Sequence, residues 1–142
     1  TQSEEALQLI RQLDEHNQGL PIHYMEYLRG EILLQKEDYQ ASIAAFQKFI
    51  ATYKSSNFKK DSYFKIALCH HLLGHANEAR RFFEKAKITG REVAEPDKYA
   101  ARQLQEGGFP NAKLLKVRFA TDGGYFAQAR AVLASIQPVD LH

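Results

Sequence analysis

The sequence predicts an all-α fold, an α–α superhelix built from antiparallel helix hairpins. Three stretches of the chain repeat one pattern, in which a turn precedes a small residue and two larger apolar positions follow at helical spacing. The small residue is Ser42, then Ala79, then Ala129, at intervals of 37 and 50 residues. Apolar residues also recur at three- and four-residue steps, and clusters of Gly, Pro or Ser separate these stretches. Such a period is typical of a helical repeat.

The first five helices follow from this periodicity and from the residues that interrupt it. Ser3 is a favourable N-cap for the first helix, and Gly19 and Pro21 interrupt the pattern between the first helix and the second. Ser55 to Asn57 separate the third helix from the fourth, and Gly74 separates the fourth from the fifth. Short connections imply antiparallel neighbours. The predicted helices lie near 3–17, 21–36, 38–53, 58–73 and 75–88.

The segment after the fifth helix is longer than a repeat requires. The 50-residue interval exceeds a roughly 34-residue repeat by about 16 residues, enough for one inserted helix. Pro96 fits the first turn of this helix, and Tyr99, Ala100 and Leu104 are its predicted apolar face. A third hairpin follows. The sixth, seventh and eighth helices are predicted near 96–106, 110–122 and 124–136.

Composition narrows the class of protein. The 142 residues are 44% apolar and 25% charged, which is ordinary for one globular domain. A net charge of +2 gives no global attraction to nucleic acid or anionic membrane. No apolar run approaches the length of a membrane span. The single cysteine, Cys69, excludes an internal disulfide framework and leaves cytoplasmic and periplasmic locations both open.

The run from Tyr63 to Ala79 carries an aromatic residue, an aliphatic one, the small Ala67, the turn Gly74 and Ala79 in order. It resembles the tetratricopeptide repeat closely. The stretch 21–54 resembles the same repeat less well, since Arg29 stands where the family has leucine and Glu37 where it has the turn glycine. The stretch 111–138 is a third copy.

The resemblance implies a single domain over 1–142, a tetratricopeptide solenoid, and we expect it to be a fragment of a longer protein. The segment 107–133 resembles part of a poorly characterised bacterial family of such proteins. The implied division is a partial repeat at 1–20, repeats at 21–54 and 58–90, an inserted helix at 95–108, and a repeat at 110–138.

In this family the first helix of each pair lines a concave groove. The resemblance therefore implies a non-catalytic scaffold that binds a protein or peptide there, with Tyr27, Phe64, Leu68 and His71 as the main contacts. Aromatic side chains at helical spacing suit such contacts. The implied groove residues are Tyr24, Tyr27, Glu31, Leu34, Gln35, Asp61, Phe64, Leu68, His71, Leu72, Asn111, Leu114, Arg118 and Thr121.

Other interpretations stay open. The aromatic stripe could be helix packing, with the inserted helix filling the groove. The terminal helices could instead mediate self-association into a homo-oligomer, through uncovered apolar residues such as Leu7, Ile10 and Leu13 at one end and Val132 and Ile136 at the other. An RNA-binding repeat is less favoured, because acidic residues dilute the basic run on the fifth helix. That run is Arg80, Arg81, Lys85, Lys87 and Arg91.

Catalytic and metal chemistry is not predicted. Cys69, His70, His71 and His75 have ligand types, but Gly74 interrupts the helix that would hold His71 and His75 one turn apart. Asp14, Glu15 and His16 are neighbours in sequence and so point to different sides of a helix. We therefore predict no enzyme activity, no metal and no cofactor.

Overall fold

The computed structural model describes residues 2–16 and 22–137, which form eight helices and no strand. This confirms the all-α fold. The predicted helix bounds agree to within two residues, except that the predicted ends at 17 and 21 lie outside the described residues. The helices are α1 (Gln2–His16), α2 (Ile22–Gln35), α3 (Tyr39–Thr52), α4 (Lys59–Leu72), α5 (Ala76–Ile88), α6 (Glu95–Glu106), α7 (Ala112–Asp122) and α8 (Phe126–Ala134).

Small residues lie where paired helices cross, as the repeat pattern predicts. A Cβ atom at Gly30 would lie 2.9 Å from ring carbons of Phe46, so α2 and α3 can approach this closely only at a glycine. The buried Ser42 hydroxyl donates a 2.6 Å hydrogen bond to the Gly30 carbonyl. Ala67 and Ala79, at the corresponding positions of α4 and α5, are also buried.

The core runs through α2 to α5 and continues into α7. Successive helices pair as the antiparallel hairpins α2–α3, α4–α5 and α7–α8, and α3 also packs on α4. Phe46 and Phe49 of α3 are completely buried, and so is Ile66 of α4. Each hairpin therefore covers the apolar face of its neighbour, which is the stacking expected of a helical repeat.

The inserted helix α6 packs on α4 and α5. Ala100, Ala101 and Leu104 are its buried face. The prediction that Tyr99 belongs to this face is wrong, because the side chain is 43% exposed. Asp97 turns inward instead and is completely buried, which shifts the buried stripe of α6 to the side of Asp97.

The two ends of the helical array meet. Helix α7 contacts α2 as well as α4, and a Cβ atom at Gly123 would lie 2.8 Å from Cβ of Gln35. Ser3, predicted to cap α1, lies inside that helix and donates a 3.1 Å hydrogen bond to the Gly123 carbonyl. Helices α2, α4, α6 and α7 therefore surround a cleft, in place of the open inner wall that the repeats alone would form.

Candidate functional site

The cleft between α2, α4, α6 and α7 has a volume of about 540 Å³. Phe64, Leu68 and Phe119 line it while being 5% exposed or less, so they form an apolar floor. Tyr99 and Arg102 of α6 line it as exposed side chains and form part of its rim. A concave apolar site with polar groups at its edge, of this volume, is suited to a small ligand or a few side chains of a partner.

Half of the sequence-predicted groove residues come together in this cleft, and half lie elsewhere. The seven predicted residues that line it all belong to the first helices of the three hairpins, as expected from the repeat pattern. They are Glu31, Leu34, Gln35, Asp61, Phe64, Leu68 and Arg118. Those outside its lining are Tyr24, Tyr27, His71, Leu72, Asn111, Leu114 and Thr121. Contact of any of these residues with a partner stays a prediction.

Tyr27, the first of the predicted main contacts, lies behind the cleft and is 2% exposed. Its hydroxyl donates a 2.5 Å hydrogen bond to Oδ2 of Asp61. Burial, followed by the charge of Asp61, raises the pKa of Tyr27 far above its usual value, so the phenol stays protonated and remains a donor. The bond ties α2 to α4, and the Tyr27 side chain has almost no accessible surface to offer a partner.

Lys65 joins two carboxylates at the base of the cleft. Its Nζ lies 2.6 Å from Oε1 of Glu31 and 2.9 Å from Oδ2 of Asp61. Burial raises the pKa of Asp61, and the Lys65 ammonium partly offsets that rise. Burial by itself lowers the pKa of Lys65, but the two carboxylates outweigh it and raise that pKa above its usual value. The charge of Lys65 is thus held between internal partners.

His71, another predicted main contact, fixes the segment before α7. Its Nε2 lies 2.8 Å from the Pro110 carbonyl oxygen, and its ring stacks on Phe109 with centroids 4.8 Å apart. A carbonyl oxygen only accepts, so Nε2 is the nitrogen that carries the proton. The imidazole is therefore engaged in packing and lies outside the cleft lining.

The remaining predicted residues outside the cleft include residues that pack against other side chains, a residue exposed on the surface and a residue that caps a helix. Tyr24 packs on Phe58 with ring centroids 5.1 Å apart. Leu72 is buried in the core. Leu114 is 43% exposed on α7. Oδ1 of Asn111 accepts a 3.1 Å hydrogen bond from the Leu114 N–H and caps α7, which explains why an amide side chain stands at this position.

Sequence reasoning left open that the inserted helix fills the groove, but it assigned no residue of α6 to the site. Glu95, Pro96, Tyr99 and Arg102 supply one wall of the cleft. The buried Asp97 holds α6 in place, because its carboxylate accepts hydrogen bonds from two backbone N–H groups at the start of α4. These bonds are 2.7 Å from Phe58 and 2.9 Å from Asp61. An acidic residue beside Pro96 is visible in the sequence, but nothing there indicates that it caps another helix.

Burial raises the pKa of the Asp97 carboxyl, and the two backbone hydrogen bonds partly lower it again. Phe58, the N-cap residue of α4, has a left-handed conformation and no side-chain acceptor. The Asp97 carboxylate supplies the acceptor that this helix terminus lacks. One carboxylate therefore both satisfies a helix terminus and positions the wall that carries Tyr99 and Arg102.

The residues with metal-ligand chemistry are dispersed. Nδ1 atoms of His70 and His75 lie 3.2 Å apart on the outer edge, and His71 points to Pro110. Within 2–16 and 22–137, no three His, Cys, Asp or Glu side chains are grouped to hold an ion. Burial raises the pKa of Cys69 to about 12, so its thiol stays protonated. The side chains of Asp14, Glu15 and His16 lie outside the described part of the chain.

The four basic residues of the run that lie on α5, and Arg91 just after its end, are exposed and do not line the cleft. Arg81 pairs with Glu78 at 2.9 Å, and Lys87 pairs with Glu84 at 3.4 Å. Acidic neighbours thus neutralise part of the run, as the sequence suggested. No helix in the described residues is long and apolar enough to span a bilayer.

The two terminal helices differ from each other. Leu7 and Ile10 of α1, predicted to be partly uncovered, are 4% and 6% exposed because they pack under α2. The side chain of Leu13 is not described. At the other end, the predicted Val132 and Ile136 are half-buried, and the exposed apolar residues of α8 are Phe126 and Leu133, at 58% and 56%. Exposed apolar side chains therefore occur on both terminal helices, since Leu9 of α1 is 55% exposed as well.

Comparison with known proteins agrees with this architecture. The family model described as the tetratricopeptide repeat matches residues 27–54 and 60–87, which correspond to the α2–α3 and α4–α5 hairpins. Repeats of this family generally mediate protein–protein interactions and are typically non-catalytic. No curated protein matches the chain significantly. No solved structure does so either.

Proposed function

This chain is a tetratricopeptide repeat protein, and we propose that it is a non-catalytic interaction module that binds a short peptide segment of a protein partner in the cleft between α2, α4, α6 and α7. The observation that carries the proposal is the apolar floor of that cleft, Phe64, Leu68 and Phe119, which opens between exposed polar and aromatic side chains. Interaction hot spots commonly have this composition.

The size of the cleft supports a short ligand. Helix α6 forms one wall, and the contact between α2 and α7 limits the cleft on another side. A volume of about 540 Å³ accommodates an apolar side chain and its neighbours, not the whole length of a long helix. Tyr99, which is 43% exposed at the rim, offers a flat surface with a hydroxyl at its tip for the peptide to pack against.

The test begins with selection of short random peptides displayed on phage against the immobilised protein. Calorimetry then compares a selected peptide on the wild type, on Tyr99→Ala and on a matched control, Phe126→Ala, which removes an exposed aromatic ring outside the cleft. We expect Tyr99→Ala to weaken binding about tenfold and the control to leave it unchanged. Equal affinity of all three proteins would reject the cleft as the binding site.

Self-association is a second candidate function, favoured by the exposed Phe126 and Leu133 of α8. Exposed apolar side chains on one helix can pair with the same helix of a second copy. Light scattering over a concentration series measures the mass directly. A mass that doubles with concentration in the wild type but not in Leu133→Asp supports this candidate. A constant monomer mass removes it.

A further inference from the structure

The turn between α4 and α5 holds two imidazole rings against each other. Nδ1 of His70 lies 3.2 Å from Nδ1 of His75. His70 is half-buried in the last turn of α4, and His75 is exposed directly before α5. Both rings lie outside the lining of the cleft, so the proposed peptide site makes no use of them.

The backbone fixes this pair. Gly74 has a φ angle of 80°, and its N–H donates a 3.1 Å hydrogen bond to the His71 carbonyl. The His75 N–H donates a 2.8 Å hydrogen bond to the His70 carbonyl. These two bonds define the Schellman motif, in which the residue after the turn glycine packs on the last turn of the helix, usually through an apolar contact. Here two imidazoles make that contact, and the His70 ring also stacks on Phe82 with centroids 5.5 Å apart.

Sequence reasoning weighed His71 with His75 as metal ligands and set them aside, because Gly74 lies between them. The same glycine has the opposite effect on another pair of residues. The left-handed turn at Gly74 folds His75 back onto His70, which precedes it by five residues.

The distance between the two nitrogens fits a metal ion. Zn²⁺ binds imidazole nitrogen at about 2.0–2.1 Å, so two such nitrogens on a tetrahedral ion are about 3.3 Å apart. The separation of 3.2 Å in this structure is close to that value. Without an ion, one of the two nitrogens has to carry a proton and donate it to the other, because two bare lone pairs repel each other. A divalent ion takes the place of that proton and leaves each ring protonated at Nε2.

The charges around the pair also suit an ion. Burial, followed by the charge of His75, lowers the pKa of His70, which favours the neutral ring that can act as a ligand. Glu78, in the first turn of α5, acts in the opposite direction and supplies a negative charge near the pair. Arg81 also lowers the pKa of His70, but its charge is paired with Glu78 at 2.9 Å.

We propose that His70 and His75 form a two-histidine site for a divalent transition-metal ion that favours imidazole, such as Cu²⁺, Ni²⁺ or Zn²⁺. The protein supplies two ligands and water completes the coordination, because no third His, Cys, Asp or Glu is grouped with them in the part of the chain that the structure describes. The ion joins the last turn of α4 to the residue that precedes α5 and so stabilises this hairpin. The site is independent of the cleft and of its proposed ligand.

The experiment measures thermal unfolding of the full chain, prepared without a histidine tag, by circular dichroism in the presence of Ni²⁺, Zn²⁺ or Mg²⁺. The test variants are His70→Gln and His75→Gln. The matched control is His71→Gln, which removes an imidazole from the same stretch of chain but leaves the pair intact. Each protein is compared with its own melt without the ion, so that a change in basal stability does not enter the comparison. Calorimetry gives the affinity and the number of ions bound.

We expect Ni²⁺, at about one hundred times its dissociation constant for the wild type, to raise the melting temperature of the wild type and the control by about 5 °C, because an ion that binds only the native state stabilises it. Each test variant should bind the ion about a hundredfold more weakly and shift by about 1 °C. Mg²⁺ prefers oxygen ligands and should have no effect. At about pH 5.5 the shift should shrink, because protons compete with the ion for both rings.

The outcomes decide the proposal. Stabilisation that both test variants lose and the control keeps, with one ion bound per chain, supports it. If the wild type shows no shift with Ni²⁺ or Zn²⁺, or His75→Gln shifts as much as the wild type, the pair is only a hydrogen bond between two rings and the proposal is wrong. A shift that His71→Gln loses as well would place the ion on other ligands and would also overturn it.

Discussion

The second hairpin, α4–α5, and the last hairpin, α7–α8, carry the same repeat pattern but differ in burial. Phe83 of α5 and Leu133 of α8 each lie four residues after the small residue of their helix, Ala79 or Ala129. Phe83 is 5% exposed and packs on Phe109, whereas Leu133 is 56% exposed. In a stacked repeat, each hairpin covers an apolar face of the adjacent hairpin. Two side chains at the same position of the repeat pattern can therefore differ in burial when the segments packed against them differ.

The largest contrast is expected in thiol chemistry. Cys69 of α4 is completely buried, and burial raises its pKa to about 12. A Leu133→Cys variant that retains Cys69 would carry one thiol in each hairpin. At about pH 8 we expect the new thiol to react with a disulfide reagent at the rate of a free thiol, and Cys69 to react about a thousandfold more slowly, through unfolding. Two thiols that react equally fast would contradict the difference in burial.

Alanine substitution measures the same contrast in burial as a difference in the free energy of unfolding. Phe83→Ala should lower the free energy of unfolding by about 3–5 kcal/mol, because it leaves a cavity between α5 and the segment before α7. Leu133→Ala should change it by no more than about 0.5 kcal/mol, because the side chain is mostly in solvent. Urea unfolding provides both values. A large loss for Leu133→Ala would indicate that α8 is covered in solution.

The two hairpins also differ in how their first helix is capped. The side chain that caps α4, Asp97, belongs to another helix, α6. The side chain that caps α7 is that of Asn111, the residue directly before that helix. Asp97→Ala should lower the free energy of unfolding by about 2 kcal/mol, because two N–H groups lose their acceptor, and Asn111→Ala by about 1 kcal/mol. Asp97→Asn, which keeps one acceptor oxygen, serves as the conservative control and should lie between Asp97→Ala and the wild type.

Loss of Asp97 should also change the cleft, since α6 carries one wall of it. Hydrogen exchange of the α6 amides therefore distinguishes a capping role from simple loss of a buried group. We expect faster exchange across 95–106 in Asp97→Ala and unchanged exchange there in Asn111→Ala. Equal exchange in both variants would mean that Asp97 does not hold α6 on α4.

The smallest expected effects concern the turns between paired helices. Gly74 and Gly124 have φ angles of 80° and 81°, and Glu37 at the equivalent turn of the first hairpin has a φ of 69°. This left-handed conformation is unfavourable for a residue with a Cβ atom. Gly74→Ala and Gly124→Ala should each lower the free energy of unfolding by about 1 kcal/mol, and Glu37→Gly should raise it by up to about 1 kcal/mol. Thermal melts of the three variants test this, and destabilisation by Glu37→Gly would refute the argument.

Much of the fold could be predicted from local pattern. The eight helices follow from apolar periodicity and from their breakers. The small residues of the repeat pattern, such as Ser42 and Ala79, lie where paired helices cross, because close helix packing admits only small residues there. The departure of Glu37 from the family pattern was also visible in the sequence, and the structure gives it a physical meaning as a positive φ angle.

The candidate site was less predictable. Spacing along a helix indicates on which face of the helix a side chain lies, but not whether that side chain is exposed to solvent. Tyr27 and His71 lie on the predicted stripe of their helices, yet Tyr27 bonds to Asp61 and His71 to Pro110. Tyr99 was expected in the core and lies at the rim of the cleft instead. Each of these outcomes depends on which residue, from a segment far away in the sequence, packs against the side chain.

Local sequence thus accounts for the helices, for the antiparallel pairing and for the small side chains that let paired helices approach, since these depend on spacing along the chain over a few turns. The closed cleft required the tertiary structure. Its walls depend on Asp97 reaching the start of α4, on Gly123 admitting Gln35, and on α6 lying beside Phe64. These contacts join residues that are far apart in sequence, and no periodicity within a single helix encodes them.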